Sequence, residues 1–384
     1  MKARSVVAAF VAVAAAIYAT VSVLPAPFPS VQSADWSRPA PPPLSGVAAP
    51  AFAISYDGRI IAGRKANDLR PTASTIKILT ALALLQEGLP LSRRIVVTAE
   101  DAAAAHEGLR LGHGELPLVT GETLTVRDLL LAMLLPSADN AADILAALSP
   151  GGASGLLGRM QSVGAALRLG LPALGDPSGL SSLDQLSPEA EIRLGEAALR
   201  NPTLAAIVRL RTATLSQGQQ IRSLNRLLWS YGGAIGIKTG QTVPAGYVLL
   251  FAAQRGKDVA VGVVMGEQSD AVRFEDARRL LDWAFARARA ETLPAGQVAG
   301  RLIWPGGTSQ VLRTAGPLFL PQGGKPALNL SPAAAVARGG TVGYLSIGAR
   351  RVALEAPPVP TWIRLWSLVA SWSGRLSGTD LQRP

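Results

Sequence analysis

The sequence predicts an α/β domain that is followed by a small all-β domain, and turn signals and apolar spacing are the basis for both. Short β-prone runs stand near both ends of the central part of the chain, at residues 52–55, 59–62, 233–238, 247–254 and 258–265. The first two flank Asp57-Gly58, a dipeptide typical of a hairpin turn. Because strands enclose the central part at both ends, we expect one domain over residues 51–290 whose sheet joins those ends.

Helices are predicted between these strands from apolar residues at three- and four-residue spacing. The clearest pattern runs from Ser74 to Gln86. Further helical patterns cover residues 129–135, 152–170, 187–212 and 273–289, the first of them ending at Pro136. Residues 291–358 change to short β-branched runs between Gly and Pro turns, which predicts the small all-β domain.

The two ends of the chain carry membrane signals. Residues 1–24 combine Lys2 and Arg4 with an apolar stretch, which predicts either a signal peptide or a retained anchor, and hence export. Residues 25–50 are rich in Pro and Ala and are expected to be an extended linker without helix or strand pairing. Residues 359–378 repeat tryptophan and leucine at helical spacing, so we expect an amphipathic helix that lies in the membrane interface or packs on the β domain.

Composition removes several classes of protein. The chain has 384 residues, 48% of them hydrophobic and 16% charged, so a disordered tail protein is excluded. It has no cysteine, and its two histidines, His106 and His113, lack a zinc-binding pattern and are expected in a loop near the cleft. We therefore expect no metal and no cofactor. The net charge of +11 comes from scattered arginines rather than a basic run, which disfavours nucleic acid and fits anionic lipids and wall polymers.

Three short motifs carry the candidate chemistry. Ser74-Thr75-Ile76-Lys77 places a hydroxyl and an amine one helical turn apart, and a shielded lysine can take the proton of a serine. Alone, the pattern is also that of an ordinary helix start with a solvated lysine.

The other two motifs are equally ambiguous in isolation. Ser137-Ala138-Asp139-Asn140 offers a second hydroxyl after Pro136, or simply a capping turn. Lys238-Thr239-Gly240-Gln241 offers an ammonium and a hydroxyl at the end of a strand, where a carboxylate could bind, or simply a turn.

Taken together and in this order, the motifs resemble those of the serine-type D-alanyl-D-alanine carboxypeptidases, the low-molecular-mass penicillin-binding proteins. The similarity extends to residues 67–81, 121–130, 176–180 and 225–228, and covers about residues 47–290. It implies a penicillin-recognising, transpeptidase-like fold of the α/β (α+β) class, with an antiparallel sheet and a helical cluster.

The resemblance also implies roles. Ser74 would be the acylated nucleophile, Lys77 its base, and Ser137 the group that passes a proton to the leaving D-alanine. Lys238, Thr239, Gly240 and Gln241 would bind the substrate, Thr239 through its terminal carboxylate, and the backbone N–H groups of Ser74 and Gln241 would form the oxyanion hole.

The second motif departs from the family pattern Ser-x-Asn, because Asp139 stands at the third position and Asn140 follows it. Either Asp139 replaces the amide or a local shift brings Asn140 inward, so both are candidate substrate-binding residues. A carboxylate beside Lys77 would raise the pKa of that amine and make it a worse base at neutral pH.

The sequence therefore predicts an exported, membrane-associated enzyme at the outer face of the bacterial cytoplasmic membrane. Its expected partners are peptidoglycan stem peptides that end in D-Ala-D-Ala, β-lactams as inhibitors, and the membrane surface. The alternatives are a serine β-lactamase or esterase on the same scaffold, and a non-catalytic wall-binding protein with a weakened site.

Overall fold

The computed structural model describes residues 29–34, 43–304, 307–320, 326–331, 333–347 and 350–365. The chain forms two compact units, Pro42–Ala286 and a second made of Met1–Pro41 with Arg287–Pro384. The predicted signal peptide or anchor over residues 1–24 lies outside the described residues, as does most of the predicted carboxyl-terminal helix.

The strands, in chain order, are β1 (Ser30–Ser33), β2 (Ala51–Tyr56), β3 (Arg59–Arg64), β4 (Arg70–Pro71), β5 (Arg94–Val96), β6 (Thr123–Thr125), β7 (Gln185–Leu186), β8 (Thr212–Thr214), β9 (Gln220–Arg222), β10 (Ala234–Thr242), β11 (Gly246–Arg255), β12 (Asp258–Glu267), β13 (Thr292–Leu293), β14 (Val298–Ile303), β15 (Ser309–Thr314), β16 (Leu318–Phe319), β17 (Ala327–Leu330), β18 (Gly340–Ile347) and β19 (Arg350–Ala356). The helices are α1 (Lys77–Gln86), α2 (Ala99–Arg110), α3 (Val126–Leu134), α4 (Asp139–Ala147), α5 (Gly152–Ala166), α6 (Pro188–Arg200), α7 (Pro202–Val208), α8 (Leu227–Ser230), α9 (Asp270–Ala290) and α10 (Ala333–Arg338).

The sheet of the larger unit joins the two ends of its sequence, as predicted. Its order is β10-β11-β12-β2-β3, and every neighbouring pair is antiparallel. The predicted hairpin between β2 and β3 turns at Asp57 and Gly58, whose φ angles of 46° and 76° are those that an Asp-Gly turn adopts readily. The early and late strands thereby bring the first and third motifs into one unit.

The helical cluster is held together by apolar faces that the sequence pattern had indicated. Helix α1 is buried along nearly its whole length and packs against α5, α6 and α3. Helix α3 begins with a capping box in which Thr125 and Asp128 satisfy each other's backbone N–H groups, and it ends just before Pro136. Both boundaries place the second motif at the carboxyl end of a buried helix.

Two helix predictions were wrong in detail. Residues 187–212 form two helices rather than one, because Asn201 caps α7 and Pro202 begins it. His106 lies in α2, a helix that the sequence analysis did not predict, and not in a loop.

The smaller unit is a sheet of order β1-β14-β15-β19-β18-β17 with its own buried cluster, which includes Trp304, Leu312 and Leu354. The expectation that residues 25–50 form no strand pairing was wrong for Ser30–Ser33, which pairs antiparallel with β14. This stretch contains no proline, so its N–H groups remain available to the ladder.

The end of the predicted linker is also ordered and packs within the larger unit. The backbone N–H groups of Ala48 and Ala49 donate to Asp276 Oδ2 at 2.6 and 2.8 Å. Arg64 donates to the carbonyls of Val47 and Ala49. The packed structure therefore begins before residue 51, because a buried carboxylate and an arginine satisfy the backbone of this segment.

No helix within the described residues is long and apolar enough to cross a membrane. Of the predicted carboxyl-terminal helix, residues 361–365 are described and helical. Ile363 is buried in the cluster of the smaller unit, whereas Trp362 and Leu365 are exposed.

Candidate active site

The nucleophile candidate lies in a tight turn before α1. Residues Ala73–Ile76 form a 3₁₀ turn, and Ser74 is half-buried in it. The turn is closed by the hydroxyl of Thr75, which lies 2.8 Å from the carbonyl oxygen of Thr72. This arrangement directs Ser74 toward the cleft rather than along the helix face.

Lys77 is the first residue of α1 and is fully buried. Its Nζ donates to Ser74 Oγ at 2.9 Å, to the carbonyl of Ser178 at 2.7 Å and to the carboxylate of Asp139. Burial lowers the pKa of Lys77, and Asp139 acts against that shift. The same 2.9 Å contact is the one through which the neutral amine would accept the Ser74 proton as a general base.

The carbonyl of Ser178 is fixed by its own loop. Asp176 Oδ1 accepts hydrogen bonds of 2.7 Å from the backbone N–H groups of Ser178 and Gly179 and from the Ser178 hydroxyl. Gly179 is required here, since its φ is 89° and a Cβ would lie 2.1 Å from the carbonyl oxygen of Ala73. The loop thus fits tightly against the nucleophile turn.

The second motif forms the turn between α3 and α4. Ser137 has a φ of 71°, and its Oγ accepts a 2.7 Å hydrogen bond from Lys238 Nζ. Lys238 is buried and also donates to the carbonyl of Thr239 at 2.9 Å. Burial, reinforced by the nearby charge of Lys77, holds the pKa of Lys238 well below its ordinary value.

Asp139, and not Asn140, turns toward the cleft. The amide of Asn140 is occupied by the backbone of Leu116, which it meets at 3.0 Å through Oδ1 and 2.8 Å through Nδ2. Of the two alternatives, the structure therefore turns Asp139 toward the cleft, whereas the side chain of Asn140 holds the segment before the motif in place. Asp139 lines the cleft and contacts Lys77.

The third motif lies within a strand rather than beyond its end, since β10 runs on to Thr242. Gly240 allows this strand to approach the nucleophile turn, because a Cβ there would lie 2.9 Å from Thr72 O and 3.1 Å from Ser74 N. Thr239 and Gln241, both predicted to bind substrate, consequently line the same cleft as Ser74.

A cleft of about 600 Å³ brings the motifs together. The residues that line it are Ser74, Gly112, His113, Gly114, Pro136, Ser137, Asp139, Leu180, Leu224, Thr239, Gly240, Gln241, Thr242, Val243, Pro244 and Arg273. His113 lies in a loop and is one of these lining residues. Within the described residues, no group of three or more His, Cys, Asp or Glu could hold a metal ion.

Arg273 is the cleft residue that sequence reasoning missed. It lies in the first turns of α9, and its Nη1 donates to the carbonyls of Gly240 and Val248 at 2.9 and 3.2 Å. Its guanidinium also stacks on the ring of Tyr247. In the sequence it is one of many scattered arginines in an amphipathic helix, and only the sheet places it beside the third motif.

Comparison with known proteins agrees with this geometry. The family model described as D-alanyl-D-alanine carboxypeptidase matches residues 40–269. The chain belongs to the D-alanyl-D-alanine carboxypeptidase family.

Individual relatives give the same result. A D-alanyl-D-alanine carboxypeptidase of a Streptomyces strain is 29% identical over 248 residues, which is 60% of this chain and 84% of that protein. One from Escherichia coli is 28% identical over 278 residues, 69% of each chain. The crystal structure of a D-alanyl-D-alanine carboxypeptidase from Mycobacterium tuberculosis is 30% identical, with a TM-score of 0.58, and covers 67% of this chain and 96% of its own. The predicted family and the predicted penicillin-recognising fold are thereby confirmed.

Proposed function

We propose that this chain removes the terminal D-alanine from peptidoglycan stem peptides through an acyl-serine at Ser74. The observation that supports the proposal most strongly is the 2.9 Å contact between the buried amine of Lys77 and the Oγ of Ser74, which lines the same cleft as the other two motifs. The family and the names of its relatives support the same activity.

In the acylation step, Ser74 Oγ attacks the carbonyl carbon of the penultimate D-alanine while its proton passes to Lys77. The C–N bond then breaks as the leaving amine takes the hydroxyl proton of Ser137. Ser137 recovers a proton from Lys238 across their 2.7 Å contact, and the proton that Lys77 took from Ser74 makes up the loss, so that both amines return to their starting charge. Water hydrolyses the resulting ester, which releases the shortened peptide as a carboxylate and regenerates Ser74.

The substrate's terminal carboxylate would lie at the β10 edge of the cleft. Thr239 offers its hydroxyl there as a hydrogen-bond donor, and Arg273 contributes positive charge from the lining of the same cleft. The oxyanion would be held by the backbone N–H groups of Ser74 and Gln241, which the close approach of Gly240 to Ser74 N brings together. Asp139 would form another part of the pocket wall and control the charge of Lys77.

The test is release of D-alanine from a diacetylated Lys-D-Ala-D-Ala peptide by the full chain. We expect release by the wild type and by Ser230→Ala, an exposed serine of α8, and none by Ser74→Ala or Lys77→Ala. Release that persists in Ser74→Ala would contradict the assignment. Fast turnover of penicillin, or penicillin capture without release of D-alanine, would instead favour the alternatives, which the comparisons do not support.

We further propose that the enzyme is exported and works at the outer face of the cytoplasmic membrane, with residues 51–290 and the packed end of the preceding linker as its catalytic domain and residues 291–358 as a β domain. The apolar stretch of residues 1–24 and the tryptophan-rich segment 359–378 support this placement, and so does the exposure of Trp362 and Leu365. Sedimentation with vesicles that contain anionic lipid should depend on the carboxyl-terminal segment. Equal binding after replacement of Trp362, Trp366 and Trp372 by serine would contradict an interfacial helix.

A further inference from the structure

A buried acid lies directly behind the nucleophile turn. Glu191, in the first turns of α6, is 0% exposed, and its Oε1 lies 2.5 Å from the hydroxyl oxygen of Thr75. Its other carboxyl oxygen has no hydrogen-bond partner within the described part of the chain. Glu191 does not line the catalytic cleft, so the proposed reaction gives it no role.

The two short contacts of Thr75 allow two arrangements of its proton, and the charge of Glu191 decides between them. Thr75 Oγ1 lies 2.8 Å from the carbonyl oxygen of Thr72 and 2.5 Å from Glu191. A hydroxyl carries one proton, and a carbonyl can only accept. When that proton is donated to Thr72, the contact with Glu191 is a hydrogen bond only if Glu191 is itself protonated and donates to Thr75.

Ionisation of Glu191 would remove one of these bonds. A carboxylate is a stronger acceptor than a peptide carbonyl, so the Thr75 proton would turn to Glu191. The carbonyl oxygen of Thr72 would then lose its hydrogen bond from the Thr75 hydroxyl and face the lone pairs of that oxygen. Its remaining hydrogen bond would be the long one, of 3.4 Å, from the Thr75 N–H group. Because Thr72 and Thr75 enclose Ser74, the lost bond loosens the turn that positions the nucleophile.

No charged group of the described residues offsets this effect by direct contact with Glu191. The ionisable side chains on the elements packed against α6 are Tyr56 on β2, Tyr247 and Arg255 on β11, Asp258 and Glu267 on β12, and Lys77 on α1. On α6 itself, they are Glu189, Arg193, Glu196 and Arg200. Burial raises the pKa of Glu191 to about 7, with the Thr75 hydrogen bond acting against it.

We propose that Glu191 is a positioning residue whose protonated carboxyl holds Thr75 against Thr72 beneath Ser74, and whose ionisation releases that hold. The inference rests on the proposed role of Ser74 as nucleophile. It makes acylation sensitive to pH through a group that touches neither substrate nor reacting atoms.

The test compares the rate of acylation by a fluorescent penicillin in the full-length wild type and in Glu191→Gln, which keeps a donor toward Thr75 but cannot ionise. Taking the ratio of variant to wild type at each pH removes the dependence that both share through Lys77. We expect this ratio to rise about threefold to tenfold as the pH passes through about 7. A change of this size corresponds to the net free energy of one hydrogen bond. Glu196→Gln on the same helix, where Glu196 accepts from Ser55, is the control and should give a flat ratio.

A flat ratio for Glu191→Gln would overturn the proposal. If that variant does not fold, Thr75→Val can replace it, because valine has nearly the same volume and lacks the hydroxyl that bonds to Thr72 or to Glu191. The acylation rate of Thr75→Val relative to the wild type must then rise over the same pH range, or the proposal fails. The thermal midpoint offers a readout without acylation: as the pH passes through about 7, it should fall further in the wild type than in Glu191→Gln, and parallel profiles would contradict the inference. Absence of acylation in the wild type at every pH would instead refute the assignment of Ser74.

Discussion

The carboxylate of Asp139 contacts the buried amine of Lys77, the same amine that lies 2.9 Å from Ser74 Oγ. Burial lowers the pKa of Lys77, whereas Asp139 opposes that change through its charge and its hydrogen bond. In this family member, the charge of the candidate base is therefore set by two opposing effects inside the cleft.

Replacing Asp139 by asparagine should make Lys77 a better base at neutral pH. The substitution removes a negative charge that favours the ammonium form, so the pKa of Lys77 falls and more of the amine is neutral at pH 7. The rising limb of acylation by a fluorescent penicillin should move about one pH unit or more to lower pH. The measurement is the second-order acylation rate as a function of pH.

Asp143→Asn is the matched control, because Asp143 lies one turn further along α4 and raises the pKa of Lys77 less than Asp139 and Asp176 do. Its shift should have the same sign and be smaller. A rising limb that stays in place or moves to higher pH in Asp139→Asn would show that Asp139 does not control the charge of Lys77.

Gly240→Ala should separate strand β10 from the nucleophile turn. An added Cβ would lie 2.9 Å from Thr72 O and 3.1 Å from Ser74 N, both of them backbone atoms that cannot move alone. We expect acylation to fall by about tenfold or more, as for other small misplacements of reacting groups, while the protein remains folded. Gly232→Ala, for which the added atom meets open space, should be close to wild type, and similar rates in the two variants would contradict this explanation.

The sequence was sufficient to predict the fold class and to single out three motifs whose residues line one cleft, because each motif lies next to a strong local signal such as a helix start, Pro136 or a β-prone run. It could not decide between Asp139 and Asn140, since the choice depends on the backbone of Leu116. Arg273 and Glu191 were missed for the same reason: their partners, Gly240 and Thr75, are distant in the chain and only the folded sheet and helices bring them close.

Arg273→Gln should lower the activity of the enzyme on peptides that end in a free carboxylate. The guanidinium lines the cleft beside Gly240, where that carboxylate is proposed to bind. We expect kcat/KM for D-alanine release to fall about 10- to 100-fold, the usual effect of losing a charged hydrogen bond, and the corresponding C-terminal peptide amide to be affected much less. Arg222→Gln, an exposed arginine outside the cleft, serves as the control. An equal loss for both peptides would point to disruption of β10 instead.

Glu267 should make the larger unit less stable at alkaline pH. Burial, followed by a hydrogen bond to Asp276, raises the pKa of Glu267 from 4.5 to about 8. Since the folded-state pKa is the higher one, this contribution to stability is complete below about pH 4.5 and is lost as the pH rises through about 8. The thermal midpoint of Glu267→Gln should therefore fall less than that of the wild type over this range, whereas Glu275→Gln, on the exposed side of α9, should follow the wild type. Parallel curves for Glu267→Gln and the wild type would contradict the prediction.

The most direct test of the proposed reaction is to locate the bond that penicillin forms with the protein. Peptide mapping by mass spectrometry after brief exposure to benzylpenicillin should place one penicilloyl group on Ser74, and prior incubation with a D-Ala-D-Ala peptide should slow its appearance. An adduct on another residue, or none on a folded wild-type chain, would contradict the assignment of Ser74 as the nucleophile.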